Sequence, residues 1–226
     1  MEKIYFISGI DTGIGKTVAT GLMIRSLRAH GTDAITVKLV QTGNEGFSED
    51  IEAHRRIAGG ERFYEDQLGI TCPQIFKFPA SPRLAAELEG RTVDLKRVEM
   101  CINACAEHHA LTLVESAGGL AVPLTDDTLS IDFAAERKWP VVLVTCGRLG
   151  AINHAILSLE MIRARKMKLA GVVHDTLPES NPDIDRDAER SVRAHLARLA
   201  FDCPFIRIPA FDGTDYPGVD FSEMFK

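Results

Sequence analysis

Several ordinary features are missing from this chain of 226 residues. Its five cysteines, at positions 72, 101, 105, 146 and 203, include no Cys-x-x-Cys pair and are odd in number, so no paired redox or zinc signature is present. Cys101 and Cys105 stand one helical turn apart and offer two metal ligands at most; we read all five as small apolar side chains in a reduced interior. The seven histidines lack metal-ligand spacing too, and His108-His109, at an expected helix end, reads as a solvated pair or one facing the helix dipole. No apolar run approaches the roughly 20 residues that cross a bilayer, which excludes a membrane helix. A strand pattern beginning by Ile4 leaves no room for a signal peptide, and a cytoplasmic location is expected. A net charge of −6 excludes general attraction to nucleic acid or anionic membrane, though not a local basic patch. Linkers, low-complexity segments and internal repeats are absent. One domain over residues 1–226, able to bury a substantial core, is the organisation expected.

What is present is concentrated near the start. The apolar run Ile4-Tyr5-Phe6-Ile7 leads into Gly9-Ile10-Asp11-Thr12-Gly13-Ile14-Gly15-Lys16-Thr17, and a helical pattern follows to Ala29. Strand, glycine-rich turn, Gly-Lys-Thr and helix form the setting of a phosphate-binding loop. Glycines let backbone N–H groups close around phosphate oxygens, and the helix N-terminus adds favourable partial charge. Lys16 would reach the outer phosphates and the Thr17 hydroxyl a magnesium ion. The general rule places four residues between the first Gly and Gly-Lys-Thr; here Gly9 and Gly15 are separated by five.

Further on, Ala34 to Val40 is strand-like through its β-branched residues but contains Lys38, which either snorkels at an exposed edge or points at an anion. Gln41 to Asn44 turns the chain. Glu49 to Ala58 reads as a helix with Asp50 in its first turn, there for favourable dipole charge or for a metal. Three prolines between Thr71 and Pro82 predict an irregular loop with a short extended piece at Ile75-Phe76 and a helix capped by Ser81. A helix from Asp94 to Ala110 precedes a buried strand, Leu111 to Glu115, that ends in an acid. Strand-terminal acids of this kind supply a second magnesium contact in phosphate-loop proteins. Further apolar strands, Pro140 to Thr145, Leu169 to Val173 and Phe205 to Pro209, alternate with helices, and the tail beyond Asp212 looks irregular.

Continuous apolar strands alternating with amphipathic helices imply an α/β fold: a mostly parallel sheet with helices on both faces. Ligands of such sheets bind beyond the carboxyl ends of the strands. The loops there carry Lys16, Thr17, Thr42, Asp50, Glu115, Asn153 and His174, and that convergence carries more than any single motif.

Taken together and in order, these motifs resemble the dethiobiotin synthetase family of ATP-dependent cyclo-ligases. The resemblance rests on Gly9-x-Asp11-Thr12-x-x-Gly15-Lys16-Thr17, Lys38 with Thr42-Gly43, Ser81-Pro82, Val114-Glu115 with Ala117-Gly118-Gly119, Pro123-Leu124, and Leu149-Gly150-x-Ile152-Asn153-His154. The extra loop residue is typical of that family. The resemblance implies a homodimer with sites near the subunit interface, joining 7,8-diaminononanoate to carbon dioxide at the expense of ATP to close a cyclic urea. It implies that Lys38 and Lys16 hold a substrate carbamate against the γ-phosphate, and that Thr17, Asp50 and Glu115 position Mg2+. ATP would meet Gly13, Ile14, Gly15, Lys16, Thr17 and Val18, then Ser116, Ala117 and Gly118, with His174 and Pro209 near its base. The diamine would lie beside Thr12, Thr42 and Ser81, its distal carboxylate at the helix start from Gly150 to Asn153 of the second subunit.

Three positions depart from the family pattern. Gly13 stands where many members carry Glu, and Ser116 where Gly is usual. His174 stands where the resemblance expects an adenine-reading Asn; a His ring cannot reproduce that bidentate pairing, so looser base selection is expected. The alternative reading is a partition-type switch ATPase with DNA or membrane partners. Such proteins carry a lysine five positions before the loop lysine, where this chain has Asp11, and neither a basic surface nor an amphipathic tail follows Asp212.

Overall fold

A computed structural model describes residues 3–60, 62–213 and 215–226. In chain order it contains β1 (Ile4–Gly9), α1 (Lys16–Ala29), β2 (Ala34–Lys38), β3 (Gln41–Thr42), α2 (Glu49–Ile57), α3 (Tyr64–Gln67), β4 (Ile75–Phe76) and α4 (Pro82–Leu88). There follow α5 (Leu95–His108), β5 (Leu111–Gly119), α6 (Ser130–Glu136), β6 (Val141–Cys146), α7 (Ala151–Ala164), β7 (Leu169–Asp175), α8 (Pro182–Arg198) and β8 (Phe205–Ile208), with a 3-10 turn at Ser222–Phe225. Six strands form one sheet in the order β2-β5-β1-β6-β7-β8, every neighbouring pair parallel. Strands β2, β6 and β7 are buried along their whole length because helices cover both faces, which is why their sequences run apolar without alternation. The small β3–β4 pair, also parallel, lies apart from this sheet.

Local chemistry sets the helix starts. Ser48, Ser81, Asp94 and Asn181 each accept a backbone N–H from the first turn of α2, α4, α5 and α8, and proline opens α4 and α8. Each cap satisfies an N–H that has no partner within its helix, worth about 1 kcal/mol. Both helices that follow the site loops, α1 and α7, instead begin at a left-handed glycine, Gly15 (φ 88°) and Gly150 (φ 85°).

Two sequence expectations need correction. Strand β5 does not end at Glu115 but continues to Gly119, because Ser116, Ala117, Gly118 and Gly119 are small enough to stay paired beside β1. Glu115 is therefore a fully buried mid-strand residue, in register with Lys38 on β2. His109 is not solvated: its ring bonds Asp33 (Nδ1···Oδ1 2.9 Å) and Glu65 (Nε2···Oε1 3.4 Å). The described residues of the tail beyond Asp212 are mostly irregular, as expected, and several of them pack on the core. Phe221, Met224 and Phe225 are buried, with Met224 over Gly171, where an added Cβ would come within 2.7 Å of its methyl carbon. Among the described residues no helix is long and apolar enough to cross a membrane, and the five cysteines are free thiols.

The Phe225 ring meets Tyr5 edge-on, centroids 4.9 Å apart at 77°, and so ties the tail to the central strand. Phe225→Ala is expected to cost about 3–5 kcal/mol, lowering the urea midpoint with an unchanged slope. An unchanged midpoint would show that the tail does not anchor the core.

Candidate active site

The loop between β1 and α1 is shaped by what its glycines cannot carry. Gly13 (φ 67°) and Gly15 both lie in the left-handed region, and a Cβ on Gly15 would run into the Asp175 carboxylate. Lys16, at the start of α1, is buried and donates to the Asp11 carbonyl oxygen at 2.5 Å. Burial lowers its pKa to about 8; the nearby Lys38 adds to this and the carboxylates of Glu115, Asp50 and Asp11 oppose it. Asp11 itself is tied to the start of α7, accepting from Arg148 Nη2 and lying 3.4 Å from His154 Nδ1. The Thr12 N–H, bonded to its carboxylate, is the largest of the influences that lower its pKa, with Arg148 and His154 adding and burial opposing.

Across from the loop, four side chains from four elements converge. Thr17 Oγ1 donates toward Asp50 Oδ1 at 2.8 Å and lies 3.3 Å from Glu115 Oε1. Lys38 Nζ sits 2.5 Å from Asp50 Oδ2, 2.8 Å from Glu115 Oε1 and 3.0 Å from the Ser116 carbonyl oxygen. Lys38 is only 4% exposed, so it points inward at anions and does not snorkel at an edge. Burial alone would drive Lys38 toward its neutral form, but Glu115 and Asp50 outweigh it and raise its pKa. Burial likewise pushes Glu115 up, and Lys38 with His54 overcomes this and holds it well below the usual carboxylate range.

These groups line a cleft of about 550 Å³. Residues 12–18, Lys38, Thr42, Asp50, Ser81, Glu115, Ala117 and Gly118, all singled out in the sequence, border it, as do Gln41, Pro79 and Val122, which were not. Ser116 is buried with its hydroxyl on Ser8 (2.9 Å), and its carbonyl oxygen is what reaches the site. Gly150 and Asn153 are exposed, outside the cleft lining. Pro209 is exposed just after β8, beside the end of β7 through the Asp175–Ile208 pairing.

His174 is the expectation the structure overturns. Its ring is fully buried, bonded to Asp185 (2.9 Å) and Thr145 (3.1 Å) and stacked on Phe205, outside the lining of the cleft. Strand β7 runs two residues further than expected, to Asp175, and alternation turns Asp175 toward Gly15 and His174 the other way. His54 was also missed; it stands four residues after Asp50, on the same face of α2, a spacing visible in the sequence.

The donor set suits magnesium. Thr17, Asp50 and Glu115 bring one hydroxyl and two carboxylates together, all hard oxygens. Among the described residues no group of three His, Cys, Asp or Glu side chains could hold a metal by itself. Magnesium fits that arrangement, since it is commonly held by one or two carboxylates together with substrate phosphates.

A parallel sheet with this loop at its carboxyl edge defines a P-loop nucleotide-binding protein. A family model described as an AAA domain matches residues 3–200. The ATP-dependent dethiobiotin synthetase BioD 2 of Pasteurella multocida (strain Pm70) is 41% identical over 200 residues, covering 88% of this chain and 94% of that protein. BioD of Chlorobaculum tepidum is 42% identical over 199 residues, 88% of this chain and 83% of that one. The chain belongs to the ATP-dependent dethiobiotin synthetase family. A ParA family ATPase from Chlorobium tepidum TLS shares the fold, with a TM-score of 0.53 at 14% identity over 94% of this chain and 86% of that chain.

Asp175 gives the site a pH signature. Burial, then the charges of Asp185 and Glu179, push its carboxyl up to about 7. Between roughly pH 4 and 7 the native state therefore holds a proton that the unfolded chain has lost, and stability falls as pH rises through that window. Asp175→Asn is expected to exceed the parent at pH 8 by on the order of 2–4 kcal/mol, the difference vanishing toward pH 4. Urea denaturation across this range checks it; a pH-independent difference would refute it.

Proposed function

We propose that this chain catalyses the reaction of its family: closure of a cyclic urea from 7,8-diaminononanoate and carbon dioxide with ATP, as one P-loop ligase domain over residues 1–226, working in the cytoplasm as a homodimer. The observation that carries the proposal is the placement of Lys38, buried in a strand yet aimed into the cleft beside Lys16, Thr17, Asp50 and Glu115. A substrate amine takes up carbon dioxide as a carbamate, an anion that needs a fixed cation. Lys38 and Lys16 supply two, both lining the cleft, and hold the carbamate oxygen against the γ-phosphate. The phosphoryl group passes to that oxygen, and ADP leaves. The second amine then attacks the carbamic–phosphoric anhydride, releases phosphate and closes the ring.

Each remaining role follows from position. Backbone N–H groups of residues 13–18 surround the phosphates, with Gly13 leaving the loop bare of side chains there. Thr17, Asp50 and Glu115 would hold magnesium, which when bound neutralises charge on the β- and γ-phosphate oxygens. Thr12, Thr42 and Ser81 line the part of the cleft that would take the diamine, and Gly150 to Asn153 of a second subunit would meet its distal carboxylate. Positioning and charge account for the chemistry without a covalent nucleophile. Asp11, engaged by Arg148 and His154, fills the position where a partition-type ATPase would carry its additional lysine.

Incubation with 7,8-diaminononanoate, bicarbonate, magnesium and ATP is expected to yield a cyclic urea detectable by mass spectrometry. ATP hydrolysis that ignores the diamine and gives no such product would overturn the reading. Lys38→Gln is expected to abolish turnover while ATP affinity stays near that of the parent. It should also lower stability, because Glu115 and Asp50 lose their cation; a one-sided break of a buried pair costs about 3–5 kcal/mol. Loss of ATP affinity as deep as the loss of turnover would count against the role given to Lys38.

A further inference from the structure

Glu115 stands in the middle of a strand, and the terminal torsion of a glutamate is soft and roughly two-fold, so its carboxylate plane is set by its partners. Its two oxygens have different ones. Oε1 faces the cleft, with Lys38 at 2.8 Å and Thr17 at 3.3 Å. Oε2 faces away and accepts from His54 Nε2 at 2.7 Å. An ionised carboxylate only accepts, so the proton of that bond belongs to the imidazole.

The imidazole is held in turn. Its Nδ1 lies 3.1 Å from Thr36 Oγ1 on β2, and the same hydroxyl accepts from Arg55 Nη1 at 2.6 Å. Asp66 grips Arg55 through two parallel bonds of 2.8 Å and also accepts from Thr71 Oγ1 at 2.7 Å. A fork of this kind fixes the guanidinium plane as well as its charge. The chain from Thr71 through Asp66, Arg55, Thr36 and His54 therefore ends on one oxygen of Glu115. Helix α2 carries Asp50 and His54 one turn apart, so a single docked helix presents one carboxylate to the cleft and orients the other.

We propose that His54 is a positioning residue for the divalent cation: by occupying Oε2 it turns Oε1 of Glu115 toward the cleft and keeps it there. The inference rests on the reading of Glu115 as a magnesium ligand. Hydrogen bonds to a ligating carboxylate typically alter metal affinity by about 10–100-fold when removed. A histidine that merely filled the core would be replaceable by any side chain of similar size.

The test uses Mn2+ as a paramagnetic probe, titrated into the full chain with saturating ATP. His54→Phe keeps a ring and loses the donor; His54→Gln keeps an N–H near the position of Nε2. The Phe variant is expected to bind Mn2+ at least about ten-fold more weakly, the Gln variant to recover most of that loss, and both to bind ATP in EDTA as the parent does. Parental Mn2+ affinity in the Phe variant would overturn the proposal. Equal losses in Phe and Gln, or a matching loss of metal-free ATP affinity, would reduce His54 to a packing residue and overturn it as well. Should the Phe variant fail to fold, His54→Leu carries the same expectation. Glu115→Ala separates the two levels: Mn2+ affinity unchanged by it would bring down the metal reading itself, whatever the His54 variants do.

Discussion

Everything in the cleft depends on keeping two carboxylates and a lysine ionised where water barely reaches them. Glu115 and Lys38 are almost wholly buried, and Asp50 is only partly open to solvent. Such charges persist in an interior only when paired and fully hydrogen-bonded. Here the requirement is met from several directions: Lys38 shares its ammonium between two acids and a carbonyl oxygen, His54 covers the rear oxygen of Glu115, and Thr17 bridges the front. The cluster holds an oriented set of anionic and cationic groups before any substrate arrives. Pre-orientation of that kind is what phosphoryl transfer asks of a protein, since charge and position do most of the work.

The sheet explains how so many elements reach one point. All six strands are parallel, so the loops after β1, β2 and β5 open on one edge, and neighbouring strands put Lys38 beside Glu115 in register. The phosphate loop is held from two sides: Asp11 is tied to the start of α7 through Arg148 and His154, while Gly15 presses on Asp175 at the end of β7. These contacts make the loop part of the sheet's edge. The tail contributes from afar, its Phe225 packing on Tyr5 one strand-length below the loop.

Legibility in the sequence followed the range of the physics. The phosphate loop could be read because it is local: spacing of glycines, Lys16 and Thr17 fully specifies how nine residues turn. Strands β1, β6 and β7 could be read because burial on both faces leaves a continuous apolar run. Ser81 and Asp94 could be read as a cap and a helix start for the same local reason, and Ser48 caps α2 by the same chemistry. Lys38 remained ambiguous, since an edge lysine and an anion-seeking lysine look identical until the register of β2 against β5 is known.

The sequence by itself determined the fold class, the phosphate loop and, through the order of its motifs, the family. Tertiary structure decided which side of each strand faces the cleft, and the end of β7 is where this mattered most. It buried His174 against Asp185 and delivered Asp175 to Gly15, because side chains alternate with a period of two. Tertiary structure also decided that Glu115 lies within a strand and that His54 stands behind it. Helical spacing places His54 on the face of Asp50, but nothing local tells that this face docks on Glu115, 61 residues further along the chain. Pairing between buried charges is a long-range constraint, and it becomes visible only once the sheet has brought them together.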